Sequence, residues 1–216
     1  MNYIIFRKLL LGSLFLLFLN PVVSQNKFTV VIDPGHGDHD GGTRTKEGIS
    51  EKDINLLVSK FVESYIEEYA PNIEVILTRE NDIFLPLKKR PLFAKMTNAD
   101  LFISIHCNHS TRKYARGLEV YVQKNGEKNS LENTKKAYLF GLLLDSIVKE
   151  KLNYKSRGVK SANFSVLRNS IQYVPSVLVE LGFFSNKTES QYLTSKKGIN
   201  GISLGIAKTI IDYFEE

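Results

Sequence analysis

Apolar positions along the chain fall into two alternating kinds of segment. Phe28-Thr29-Val30-Val31-Ile32 is a short continuous run that halts at Asp33-Pro34-Gly35, the pattern of a buried strand entering a loop. A Gly-rich polar stretch follows as far as Gly48. Ser50 and Asp53 then form a Ser-x-x-Asp capping box ahead of Ile54, Leu57, Val58, Phe61 and Tyr65, which recur at helical spacing up to Pro71. Glu74–Thr78, Leu101–Ile105 and Leu118–Val122 read as further strands, the last lying between Gly117 and an Asn125-Gly126 turn. Pro86 opens a helix-like stretch through Leu87, Phe93, Ala94 and Met96, which Pro91 is expected to bend or restart. Residues 131–152 predict a long helix, apolar around so much of its circumference from Tyr138 to Val148 that cover on more than one side is expected. Phe164–Leu167 and Val177–Val179 read as short strands, and Ile202, Ile206, Ile210 and Phe214 predict a last helix over residues 198–214. Strands alternating with helices predict a single α/β domain with a central mixed, largely parallel sheet flanked by helices.

The first residues follow a different pattern. Arg7 and Lys8 precede an apolar run from Leu9 to Leu19, then Pro21 and the small residues around Ser24. That is the pattern of a secretory signal peptide over residues 1–24, leaving 25–216 as the mature domain with no membrane span. Residues 1–24 carry those two cations and no acid, so the net charge falls from +6 to +4 once they are removed. The expected site of action is outside the cytoplasm, in the periplasm or otherwise secreted or wall-associated. The basic residues are scattered and not interleaved with aromatics, which argues against nucleic acid as a partner. A single cysteine, Cys107, excludes an intrachain disulfide and a Cys-rich zinc site, so any His-based metal site must draw on His36, His39, His106 and His109.

In open α/β sheets, chemistry collects beyond the carboxyl ends of the strands. His36 follows the first strand, His106 ends the third in Ile105-His106-Cys107-Asn108, and Glu180 ends the last in Val179-Glu180-Leu181-Gly182. Two histidines and a carboxylate can hold a hydrolytic zinc with water in the fourth position, and a separate carboxylate is then wanted as general base and acid. Glu51, at the start of the capped helix, is the best second acid, although taken alone it reads better as a complement to the helix dipole. His109, three residues after His106, is a rival ligand. Asn108 is a candidate for orienting a ligand or substrate. Arg79 and Arg168 are candidates for binding substrate carboxylates, with structural ion pairs as the competing role. Cys107 should point away from His106 on an alternating strand and act as a small buried hydrophobe.

Four motifs, in order, carry a family resemblance: Val31-Ile32-Asp33-Pro34-Gly35-His36-Gly37; Ser50-Glu51-Lys52-Asp53-Ile54-Asn55-Leu56; Ser104-Ile105-His106-Cys107-Asn108; and Val179-Glu180-Leu181-Gly182-Phe183-Phe184-Ser185-Asn186. With Leu77-Thr78-Arg79, Leu87-Lys88-Lys89-Arg90 and the stretch from Arg157 to Arg168, they resemble the zinc-dependent N-acetylmuramoyl-L-alanine amidases over residues 28–214. The resemblance implies one zinc per chain held by His36, Glu51 and His106, with Glu180 as the catalytic acid and base. It implies cleavage of the amide between N-acetylmuramic acid and L-alanine in peptidoglycan, for wall remodelling or daughter-cell separation. Peptidoglycan is then the expected partner, an activator protein is a second, and the chain is expected to be a monomer. Two competing functions are a zinc peptidase cutting within the stem peptide and a non-catalytic wall-binding domain on the same scaffold.

Overall fold

The computed structural model describes residues 27–124 and 130–215, so the signal-peptide pattern and the Asn125-Gly126 turn lie outside the described residues. Six strands form one sheet in the order β2-β1-β3-β6-β4-β5. They are β1 (Phe28–Pro34), β2 (Ile73–Leu77), β3 (Leu101–Asn108), β4 (Leu118–Gln123), β5 (Ser156–Ala162) and β6 (Ser176–Phe183). Every neighbouring pair is parallel except β4 with β6, which is antiparallel. The sheet is therefore mixed and largely parallel, as the alternation of segments predicts.

Helices cover both faces, which is why the central strands read as continuous apolar runs. The helices α1 (Glu51–Tyr69), α3 (Leu131–Glu150) and α6 (Lys196–Glu215) bury Ile54, Val58, Val62, Phe140, Leu144, Ile202 and Ile206 against Val30, Ile32, Ile103 and Ile105. On the other face α2 (Arg90–Met96) and α4 (Ser165–Ser170) place Ala94, Val166 and Leu167 against Val31, Phe102 and Leu178. The short α5 (Lys187–Leu193) packs at the end of β6. Among the described residues no helix is long and apolar enough to cross a membrane.

Several local expectations are corrected or narrowed. The capping box does not form: Ser50 makes no side-chain cap bond and sits in an antiparallel bridge with Arg44. The first α1 amides donate instead to loop carbonyls, Glu51 to Thr43 at 2.9 Å and Lys52 to Gly41 at 3.3 Å, so the loop itself caps the helix. Pro91 lies in the first turn of α2, so of its two expected roles it takes the second and starts a helix rather than bending one. Phe164–Leu167 is not a strand. Phe164 is extended and α4 follows it, a four-residue, mostly apolar run being ambiguous between the two states. The strand in that region is the more polar β5, on the sheet edge, where charged side chains are favoured. The long helix α3 is covered on more than one side, by α6 and by the β4 and β5 side of the sheet, and leaves Tyr138, Leu139 and Leu142 exposed.

Two arginines fix the loop that leaves β1. Arg90 is 2% exposed and pairs with the fully buried Asp33 at 2.9 Å, while donating to the carbonyls of Pro34, His36 and Leu85. Asp33 also accepts from Thr78 Oγ1 at 2.6 Å and Ser104 Oγ at 2.9 Å. Breaking such a buried pair on one side typically costs about 3–5 kcal/mol, because the surviving charge is stranded. The same network therefore holds the β1 exit, and with it His36, at one place above the sheet. The second arginine, Arg79, grips the same loop and is described with the site.

Candidate metal centre

The loop after β1 turns sharply enough that His36 adopts a left-handed backbone with φ of 64°, a strained conformation for a residue with a side chain. His36 Nε2 lies 3.1 Å from Glu51 Oε1, and His106 Nδ1 lies 3.0 Å from the same oxygen. The three donor atoms of His36, Glu51 and His106 fall within 4.8 Å of one another. Glu51 is aimed by its surroundings: Oε2 accepts the Thr43 amide at 2.8 Å, and Oε1 accepts the Cys107 amide at 3.0 Å and Asn55 Nδ2 at 3.3 Å. Burial alone would raise the Glu51 carboxyl, but hydrogen bonds to His106 and His36 and their charges hold it well below the usual carboxylate range. Burial likewise opposes a charge on His36, and Glu51 and Asp40 outweigh it, so that imidazole is raised.

Space around the cluster is closed by glycines. A Cβ on Gly42, whose φ is +64°, would stand 2.5 Å from Glu51 Oε2 and 2.7 Å from His36 Cδ2. One on Gly35 would stand 2.2 Å from the His106 ring. Both positions are glycine because the backbone passes against the donor side chains.

Glu180 faces the cluster from the neighbouring strand. It is the register partner of His106 in the parallel β3–β6 pair, so the two side chains leave the same face of the sheet one strand apart. Its Oε2 is buried and has no hydrogen-bond partner. Burial pushes the carboxyl up to about 7, with His106 and His36 opposing the rise and Glu51 and Glu119 adding to it. A carboxyl with that pKa and a free oxygen can both take and give a proton near neutrality.

The donor set fits zinc. It combines two imidazole nitrogens and one ionised carboxylate on three separate elements, and His36 Nδ1 is held 2.8 Å from Asp40 Oδ1 in the manner that fixes a metal-binding ring. His109 is exposed, lies in the loop after β3, and its amide donates to Asn108 Oδ1 at 2.7 Å. It is outside the cluster.

The structure places the other residues singled out from the sequence as follows. Arg79 is 2% exposed and donates to the carbonyls of Pro34, Gly35, Lys52 and Asn81, so its guanidinium is spent on holding the His36 loop and α1 rather than offered to a carboxylate. Arg168 is exposed on α4 and donates to Asn163. Asn108 donates through Nδ2 to Glu119 at 2.9 Å. Cys107 faces the core among the α1 side chains, and burial pushes its thiol well up, with the charges of Glu51, Glu180 and Glu189 adding to the rise. Sequence reasoning misses Asp40, Asn55, Arg90 and Glu119. Glu119 interrupts the apolar run Leu118–Val122, and that single charge within a buried strand is the signal that could find it.

Residues 30–212 match the family model described as N-acetylmuramoyl-L-alanine amidase. The N-acetylmuramoyl-L-alanine amidase AmiA of Escherichia coli is 32% identical over an alignment spanning 88% of this chain and 78% of AmiA. The crystal structure of an N-acetylmuramoyl-L-alanine amidase from Clostridium difficile 630 superposes with a TM-score of 0.76 at 31% identity, covering 88% of this chain and 98% of that one. The CwlD amidase of Clostridioides difficile, solved in complex with the GerS lipoprotein, superposes with a TM-score of 0.72 at 30% identity, covering 88% and 99%. A family match across most of the chain, on a fold shared with these enzymes, shows that the chain belongs to the N-acetylmuramoyl-L-alanine amidase family.

Proposed function

We propose that the chain hydrolyses the amide between N-acetylmuramic acid and L-alanine in peptidoglycan, with one zinc held by His36, Glu51 and His106 and with Glu180 moving the proton. The observation that carries this reading is the unpartnered, buried Oε2 of Glu180 beside a cluster of two imidazoles and a carboxylate. Zinc in such a donor set lowers the pKa of water to about 7 and polarises a carbonyl. The chain's own residues do the rest. His36 and His106 present one nitrogen each, fixed by Asp40, by the Arg79 and Arg90 grip on the loop, and by the β3 backbone. Glu51 supplies the negative charge between them. Glu180 accepts the proton of the attacking water through the oxygen that lacks a partner, and returns it to the alanine nitrogen as the amide breaks. Asn108 and Glu119 border the same row of side chains.

Export by residues 1–24 would bring this site to the wall, in the periplasm or beyond it. An activator protein belongs to the same reading, supported by the family's CwlD having been solved with a lipoprotein partner. Dialysis against a chelator tests the metal. Elemental analysis of the untreated mature chain is expected to find about one zinc per chain. Hydrolysis should be lost on removal and restored by zinc alone, while the circular dichroism spectrum stays unchanged. Full activity in metal-free protein would refute the reading.

A further inference from the structure

The side chains on the catalytic face continue past Glu180. Glu119 on β4 is the register partner of Glu180 across the antiparallel pair, so His106, Glu180 and Glu119 form a row across β3, β6 and β4. Glu119 is 2% exposed and is bound by Asn108 Nδ2, by the Tyr121 hydroxyl at 2.9 Å, and by two cations from the edge strand β5, Arg157 and Lys160. Two positive charges thus meet one carboxylate, and the surplus charge is positive. Both cations are open to solvent, with side chains 36% and 35% exposed. Arg157 meets Glu119 through Nε and lays its guanidinium over the Phe183 ring at 5.3 Å, and its two terminal amino groups make no hydrogen bond among the described residues. Those are the groups that grip a carboxylate side by side.

The position of this surplus charge says what it meets. In the proposed reaction Glu180 delivers its proton to the departing nitrogen, so the leaving peptide starts beside Glu180, and the row of side chains runs on from there, away from the metal ligands, to Glu119. Arg157 and Lys160 both reach back to Glu119, which puts their charges about one strand spacing, or roughly 5 Å, beyond Glu180. That is within reach of the residue after L-alanine, since an extended chain advances about 3.3–3.6 Å per residue. We propose that Arg157 and Lys160, held in place by Glu119, form the subsite for the free α-carboxylate of the second stem residue, and so select anionic stems over amidated ones. Glu119 is then a positioning residue, and Asn108 serves through it. The assignment rests on the amidase reading of the site.

Two muramyl tripeptides that differ only in a carboxylate or a carboxamide on the second residue test it. The zinc-loaded mature chain is expected to show a kcat/KM about tenfold higher on the acid, expressed in KM, which is the discrimination one well-made charged contact supplies. The variant Arg157→Gln/Lys160→Gln should bring the ratio of the two substrates close to one, and the ratio is the readout, not either rate. Should the double variant fail to fold, Lys160→Gln, which leaves Arg157 on Glu119, should still lower the ratio. A wild-type chain that cleaves both substrates without preference, or a variant that keeps the preference, overturns the subsite and leaves the amidase reading intact. Cleavage of neither substrate by zinc-loaded wild type overturns both.

Discussion

Glu180→Gln should lower turnover by about 10²–10⁴-fold while leaving zinc content unchanged, the range expected for loss of a general acid–base group. The change keeps the shape of the side chain and removes only its ability to take a proton. Folding should survive it, because Glu180 Oε2 makes no hydrogen bond that the amide would break. The neighbouring Glu51 cannot substitute, since its two oxygens are committed to His36, His106 and the amides of Thr43 and Cys107. Single-turnover assays beside elemental analysis separate the two roles. A variant with full turnover, or one that has lost its zinc, would show that Glu180 is a ligand or a bystander.

The second large effect concerns the third ligand. Glu51→Ala is expected to weaken zinc binding by more than about 100-fold, beyond the 10–100-fold that outer contacts of a metal site command. His109→Ala should leave the zinc content near wild type, because His109 is exposed in a loop outside the cluster. Glu51→Ala also removes an acceptor from the Thr43 and Cys107 amides, so Glu51→Gln, which keeps an oxygen there, should be measured beside it. Zinc titration of the purified variants decides the matter, and the reverse pattern would make His109 the ligand.

Much of this site is legible in the amino-acid sequence. His36, His106 and Glu180 each interrupt or end an apolar run, and a charged or polar group at that point of a parallel strand has few roles besides chemistry. Glu51 is harder. At the start of a helix an acid is expected for electrostatic reasons alone, and the family resemblance, not the spacing, distinguishes it. The buried arginines are illegible because a sequence does not say which guanidinium folds under a loop. Arg79 reads equally as a ligand for anions or as a structural ion-pair partner, and proves to hold four backbone carbonyls. Glu119 leaves a trace, one charge inside the apolar run Leu118–Val122, but its role is illegible because its partners Arg157 and Lys160 come from β5, about 40 residues further along the chain. The edge strand itself, Ser156–Ala162, lacks the apolar run by which the central strands announce themselves, and the start of α4 carries one instead.

Mass spectrometry of the soluble products released from purified sacculi by the zinc-loaded mature chain identifies the bond that is cut. Cleavage by an amidase yields intact stem peptides beginning with a free L-alanine amine, and glycan strands whose N-acetylmuramic acid carries an unsubstituted lactyl carboxylate. Shortened stems still attached to the glycan would make the chain a peptidase, and the absence of any released product from zinc-loaded protein would leave it a binding domain; either result rules out amidase action.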